Sequence, residues 1–144
     1  MTNLKQIQTK QNHAVRIMLF ATLYGIHTES ALPLLNLLEL LTVENIFKLK
    51  LLCFTYKWHT KELPNIFAQH FRYASEVHTH NTRYASKSNL YKSRFRTNIG
   101  KQTTRAMATD LWQQLPTELK HLNQYNFTQK AKRFLLTKQL HNYK

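Results

Sequence analysis

Leu4, Ile7, Gln11, Ala14, Met18 and Ala21 recur every three or four residues. This is the spacing of one helix face, and it predicts a first helix from about residue 3 to 23 with Gly25 as its C-terminal stop. The half from Ala14 to Tyr24 is apolar nearly all round, which predicts burial. A short helix led by Pro33 follows through Leu38, and Thr42 then has the chemistry of an N-cap with Glu44 in the first turn of a longer helix. That helix carries two apolar stripes, Ile46, Leu49, Cys53, Tyr56 and Phe47, Leu51, Phe54, Trp58, so it is expected between neighbours. It should end before Leu63-Pro64, because the residue preceding a proline is pushed out of the helical region. Ile66 to Phe71 predicts one or two further helical turns.

From about Ser75 to residue 105 the 3.6-residue period is lost, and strands or loops are expected. Between Leu90 and Thr97, alternation puts Tyr91 and Phe95 on one face and Lys92, Arg94 and Arg96 on the other, as in a half-buried strand. A turn at Asn98-Ile99-Gly100 would return Lys101, Thr103 and Arg105 on a second strand, making a small basic β-ribbon. Helix resumes over Ala106 to Gln114, again from Thr117 to Leu122 behind Pro116, and finally from Asn126. There Gln129 completes a capping box, and Phe127, Ala131, Phe134 and Leu135 form the buried stripe. The expectation is therefore a mainly α fold, a single domain over 1–144. It comprises a helical part (1–72), a basic extended or ribbon part (75–105, the ribbon near 88–105) and C-terminal helices (106–141).

A chain of 144 residues that is 42% hydrophobic, with 8 Phe, 7 Tyr and 2 Trp, can build one core without staples. Trp58 and Trp112 read as core anchors. Cys53 is the single cysteine, which excludes an intrachain disulfide and a zinc knuckle and fits a reducing compartment, cytosol or nucleus. The polar start and the interrupted apolar runs support neither a signal peptide nor a membrane span.

The net charge of +14 exceeds what solubility requires and points to a polyanionic partner. Residues 51–144 hold sixteen Lys/Arg against four acids, compared with five against three in residues 1–50. Within 83–105 lie Arg83, Lys87, Lys92, Arg94, Arg96, Lys101 and Arg105 without an acid, interleaved with Tyr84, Tyr91 and Phe95. Cations neutralise phosphates and aromatic faces stack on unpaired bases, so this interval is the candidate nucleic-acid contact, for RNA or DNA. Lys120, Lys130, Lys132, Arg133, Lys138 and Lys144 continue without an acid. Of these, Lys130 and Arg133 are taken as auxiliary phosphate contacts, with a solvated face as the competing reading.

Phosphoryl chemistry on two metals needs clustered carboxylates. The chain has one aspartate, Asp110, and six glutamates scattered at 29, 39, 44, 62, 76 and 118. Neither metal nor cofactor nor catalysis by the chain itself is expected. His78 and His80, in His78-Thr79-His80-Asn81-Thr82-Arg83, offer loop-bracing hydrogen bonds first, nucleic-acid contact second, and metal or acid–base work last.

Several motifs stand in order: Gln11 with Ala14-Val15-Arg16-Ile17; Leu63-Pro64 with Phe67 and Phe71; His78 to Arg83; Gly100-Lys101; Leu111-Trp112, Leu115-Pro116 and Leu119-Lys120; and Phe127 with its basic helix. Over residues 4 to 140 this string resembles the C-terminal region of non-LTR (LINE-type) retrotransposon reverse transcriptases. It departs from that pattern where the family has Trp-Asn and this chain Trp112-Gln113, and where a glycine precedes the Trp and this chain has Met107-Ala108-Thr109. The resemblance implies RNA-templated DNA synthesis at a nicked target, with this region assisting template or target binding. It also implies a polymerase part of the same element as partner and catalytic aspartates outside these residues, compatible with a truncated copy. Two other readings stay open: a stand-alone basic RNA-binding or ribosome-associated protein, and an interaction module docking through apolar N-terminal helices. The purified chain is expected to incorporate no nucleotide on a primed template with Mg²⁺ or Mn²⁺. Template-dependent incorporation that survives contamination controls would overturn this.

Overall fold

The computed structural model describes residues 2–19, 30–77, 82–84 and 87–141. The fold is mainly α: α1 (Thr2–Met18), α2 (Leu32–Leu37), α3 (Val43–His59), a 3-10 turn (Asn65–Phe67), α4 (Ala74–Val77), α5 (Asn98–Lys101), α6 (Thr104–Gln114), α7 (Thr117–Lys120) and α8 (Gln124–His141). The chain divides into two compact units, Met1–Phe47 with Lys132–Lys144, and Lys48–Ala131.

In the first unit α1 packs on α2, and Val15, Leu35, Leu41 and Leu135 are buried. The face of α1 that turns inward differs from the predicted stripe. Leu4, Ile7, Ile17 and Met18 are exposed, so the expected burial from Ala14 onward holds for Val15 and is corrected for Ala14, Ile17 and Met18. The continuation to residue 23 and the stop at Gly25 lie outside the described residues. Hydrogen bonding sets the rotation. Gln8 Oε1 accepts from the Val43 amide at 2.8 Å, and Gln11 Nε2 donates to the Leu41 carbonyl at 2.8 Å. The first satisfies an amide at the entry to α3 that the helix itself leaves open, and the second takes the carbonyl of the link just before it. Thr42 Oγ1 caps α3 through the Asn45 amide, as the sequence suggested.

Gln139 is the polar centre of this unit. It is buried, and both ends of its amide are used twice. Oε1 accepts from the Thr42 amide at 3.0 Å and Asn45 Nδ2 at 2.9 Å, while Nε2 donates to Asn36 Oδ1 at 2.7 Å and the Leu40 carbonyl at 3.1 Å. One side chain on α8 thus fixes the end of α2, the link after it and the start of α3.

In the second unit α3 buries Leu51, Leu52, Thr55 and Tyr56. This is one broad face rather than the two separate stripes expected. Tyr56 stacks on Phe127 with ring centroids 4.2 Å apart and donates to the Leu122 carbonyl. Trp112, Phe127 and Ala131 are fully buried. α8 begins earlier than Asn126, because Asn123 Oδ1 accepts from the Asn126 amide at 2.9 Å and acts as the cap.

The predicted two-stranded ribbon is replaced by a single extended segment. Its β pairing among the described residues is an antiparallel bridge between Tyr73 and Leu90, with Ala74 N–H to the Asn89 carbonyl at 2.9 Å and Tyr91 N–H to the Arg72 carbonyl at 2.8 Å. Asn98 to Gly100 opens a helical turn instead of a hairpin. Thr97 Oγ1 caps α5 through the Gly100 amide at 3.1 Å, and Thr103 Oγ1 caps α6 through the Ala106 amide at 3.3 Å. Two threonine caps six residues apart commit the stretch to helix, so Lys101, Thr103 and Arg105 do not return as a strand.

Gln139→Leu is expected to lower stability by about 3 kcal/mol, since it removes the four hydrogen bonds of a buried side chain. The urea-unfolding midpoint measures this, and an unchanged midpoint would remove Gln139 from its central role.

Candidate nucleic-acid interface

A buried cation positions the basic segment. Lys120 is 2% exposed. Its ammonium donates to Asn89 Oδ1 at 2.8 Å and to the Lys87 carbonyl at 3.1 Å, and lies 5.4 Å from the centroid of the Trp112 ring. Trp112 Nε1 donates to the Ser88 carbonyl at 3.0 Å, and Asn89 Nδ2 donates to the Tyr84 carbonyl at 3.1 Å. Tyr84 OH donates to the Leu90 carbonyl at 2.8 Å and accepts from Gln113. Ser88 sits at φ 51°, in the left-handed region, so these bonds hold a backbone shape that serine rarely adopts. Burial, reinforced by Lys87, holds the Lys120 ammonium down to about 8.

From this anchor the chain leaves as the extended segment 91–95. The predicted alternation holds there: Tyr91, Ser93 and Phe95 are half-buried, while Lys92, Arg94 and Arg96 are exposed. Gly100 lets α5 close on Phe95, because a Cβ at 100 would stand 2.9 Å from Phe95 Cδ1. A cleft of about 570 Å³ opens between the segment and the start of α6. Arg94, Lys101 and Arg105 line it together with Tyr91, Phe95 and Thr109. So do Lys92 and Asp110, which form an ion pair at 2.6 Å.

The supposition that no acid reaches these cations is therefore corrected for Lys92: Asp110, eighteen residues on, comes from α6 to meet it. Both partners are exposed, so the pair stabilises by at most about 1 kcal/mol. Among the described residues no carboxylate pairs with Arg94, Lys101 or Arg105. Four cations against one carboxylate leave the cleft with an excess of three positive charges.

The other candidates fall elsewhere. Arg96 is exposed beside the cleft without lining it. Lys87 is exposed and contributes its carbonyl to Lys120, and Arg83 is exposed in the turn that precedes it. Lys130 is exposed on α8, and Arg133, in the first unit, lines a hollow with Asn36, Glu39, Leu136, Thr137 and Leu140. Lys120 itself is corrected from a surface cation to a buried one. Its acceptors lie 31 and 33 residues away along the chain, so no local pattern could have marked it. His78, His80 and Asn81 lie outside the described residues. Among the described residues no group of three His, Cys, Asp or Glu side chains could hold a metal ion. No described helix is long and apolar enough to cross a membrane.

No protein-family model, curated protein or solved structure matches the chain.

Because the unfolded chain holds the Lys120 proton more tightly than the folded one, stability should rise with pH through the window from about 8 to 10.5. Lys120→Met should lose that rise. Urea unfolding of both proteins across the window checks it, and parallel pH profiles would show that Lys120 titrates as it does in water.

Proposed function

We propose that the protein binds RNA or DNA without catalysing a reaction itself. The observation that carries this reading is the convergence of Arg94, Lys101 and Arg105 on one cleft, beside Tyr91 and Phe95, where among the described residues the lining carboxylate Asp110 pairs with Lys92 and none pairs with these three. A solvated face mixes both signs of charge, whereas a surface that neutralises phosphates concentrates one. The ordered motifs from Gln11 to Phe127 favour a more specific role. The chain is the C-terminal region of a non-LTR retrotransposon RNA-directed DNA polymerase, assisting template RNA or target DNA in nucleus or cytoplasm. The catalytic aspartates belong to the polymerase part.

A second reading is favoured by one observation, the exposure of Leu4, Ile7, Ile17 and Met18 along α1. On that reading α1 docks on a protein such as the polymerase part of the same element. Such docking is insensitive to the salt that weakens phosphate contacts.

Replacing Arg94, Lys101 and Arg105 together by Ser should weaken binding to every sequence. It should also flatten the log–log salt dependence by about 2 for single strands and nearly 3 for duplex DNA. Fluorescence anisotropy at several salt concentrations reads both. A folded triple variant with unchanged affinity and slope would make the cleft a solvated face.

A further inference from the structure

The second unit contains another hollow, of about 630 Å³, which shares Arg105 with the basic cleft. Its volume lies within the range of roughly 300–1,000 Å³ usual for small-molecule sites. Its wall is aromatic: Trp58 and Tyr73 are half-buried and Phe71 is buried behind them. Trp58 lies tilted on Tyr73 with centroids 5.1 Å apart and edge-on to Phe71 at 5.4 Å. The polar ends of both outer rings are already satisfied. Trp58 Nε1 donates to the Ala68 carbonyl at 3.2 Å, and Tyr73 OH shares a hydrogen bond of 2.6 Å with His59 Nδ1. With their polar ends engaged, what these rings offer a ligand in the hollow is aromatic carbon surface.

Charge narrows the ligand. Lys61, Arg72 and Arg105 line the hollow against the single carboxylate Glu76, an excess of two positive charges. Lys61 holds φ 61° just past the end of α3, a backbone position where glycine would be less strained. A flat aromatic group carrying negative charge matches this combination, and a nucleotide has both.

We propose that the hollow takes an unpaired base of a single-stranded nucleic acid, stacked on Trp58 and Tyr73, while the neighbouring phosphates run past Arg105 into the Arg94–Lys101 cleft. The inference rests on the nucleic-acid reading of that cleft and adds to it a preference for single strands. The bases of a duplex are paired and stacked on one another, and they have no free face to give.

The test compares three probes by anisotropy: a short oligodeoxythymidylate, its abasic sugar–phosphate counterpart and a blunt duplex. The protein should bind the base-bearing strand about 10- to 100-fold more tightly than the abasic one, the range expected for stacking of a single base on an aromatic wall. Ala68 is exposed and lines the hollow. Ala68→Leu adds bulk at the exposed rim of the hollow beside Trp58 and should lower binding of the base-bearing strand toward the abasic level, leaving abasic binding unchanged. Tyr73→Leu should do the same where it folds. Arg94→Ser/Lys101→Ser should weaken both strands alike.

Equal binding of base-bearing and abasic strands, with the double Ser variant weakening both, would overturn the stacking site and leave the phosphate cleft standing. So would an Ala68→Leu protein that keeps the full preference for bases. If no probe binds, or if the double Ser variant changes nothing, the nucleic-acid reading falls and the stacking site falls with it.

Discussion

An ammonium group taken out of water must be given acceptors, and in the second unit that requirement is met by one short stretch of chain. Lys120 reaches the Lys87 carbonyl and Asn89 Oδ1, and Trp112 beneath it takes the Ser88 carbonyl. Asn89 and Tyr84 then close the turn upon itself. With residues 87–90 fixed in this way, the bridge to Tyr73 follows, and the chain emerges at Tyr91 in one direction only. The placement of Arg94 opposite Arg105 descends from that exit. A neutral residue at 120 would leave the acceptors in place but take away the group that orders them.

How far this was legible in the sequence depends on whether the cause was local. Thr42 before α3, Pro33 at the start of α2, Pro116 before α7 and the Tyr91 to Phe95 alternation all act within a few residues, and they appear where the pattern put them. The face of α1 was misassigned because Gln8 and Gln11 bond to backbone groups some thirty residues away, at Val43 and Leu41. The ribbon was misassigned because an Asn-Ile-Gly sequence suits a hairpin and a helical turn equally, and the caps at Thr97 and Thr103 decided between them. The cations of the cleft were legible as a group. Which of them carry a free charge was not, since the partner of Lys92 is on another element.

The two units solve the same problem with different chemistry. The first joins α2, α3 and α8 through neutral amides, Gln139, Asn36 and Asn45, whose bonds do not change with proton concentration and are little affected by salt. The second keeps a buried ammonium, and it also gathers most of the cations proposed to meet phosphate. Solution conditions therefore act unevenly along the chain, and the part expected to meet a polyanion is the part that responds to them.

The contact between Gly100 and Phe95 has a bearing on how the sequence can drift. Position 100 is only half-buried, yet even a methyl group there would press on the ring that forms one side of the cleft. A half-buried position is thus held to the volume limit of a core position. A neutral side chain admitted at 100 would have to displace Phe95, reshaping the cleft that Arg94 and Arg105 line while leaving those charges in place.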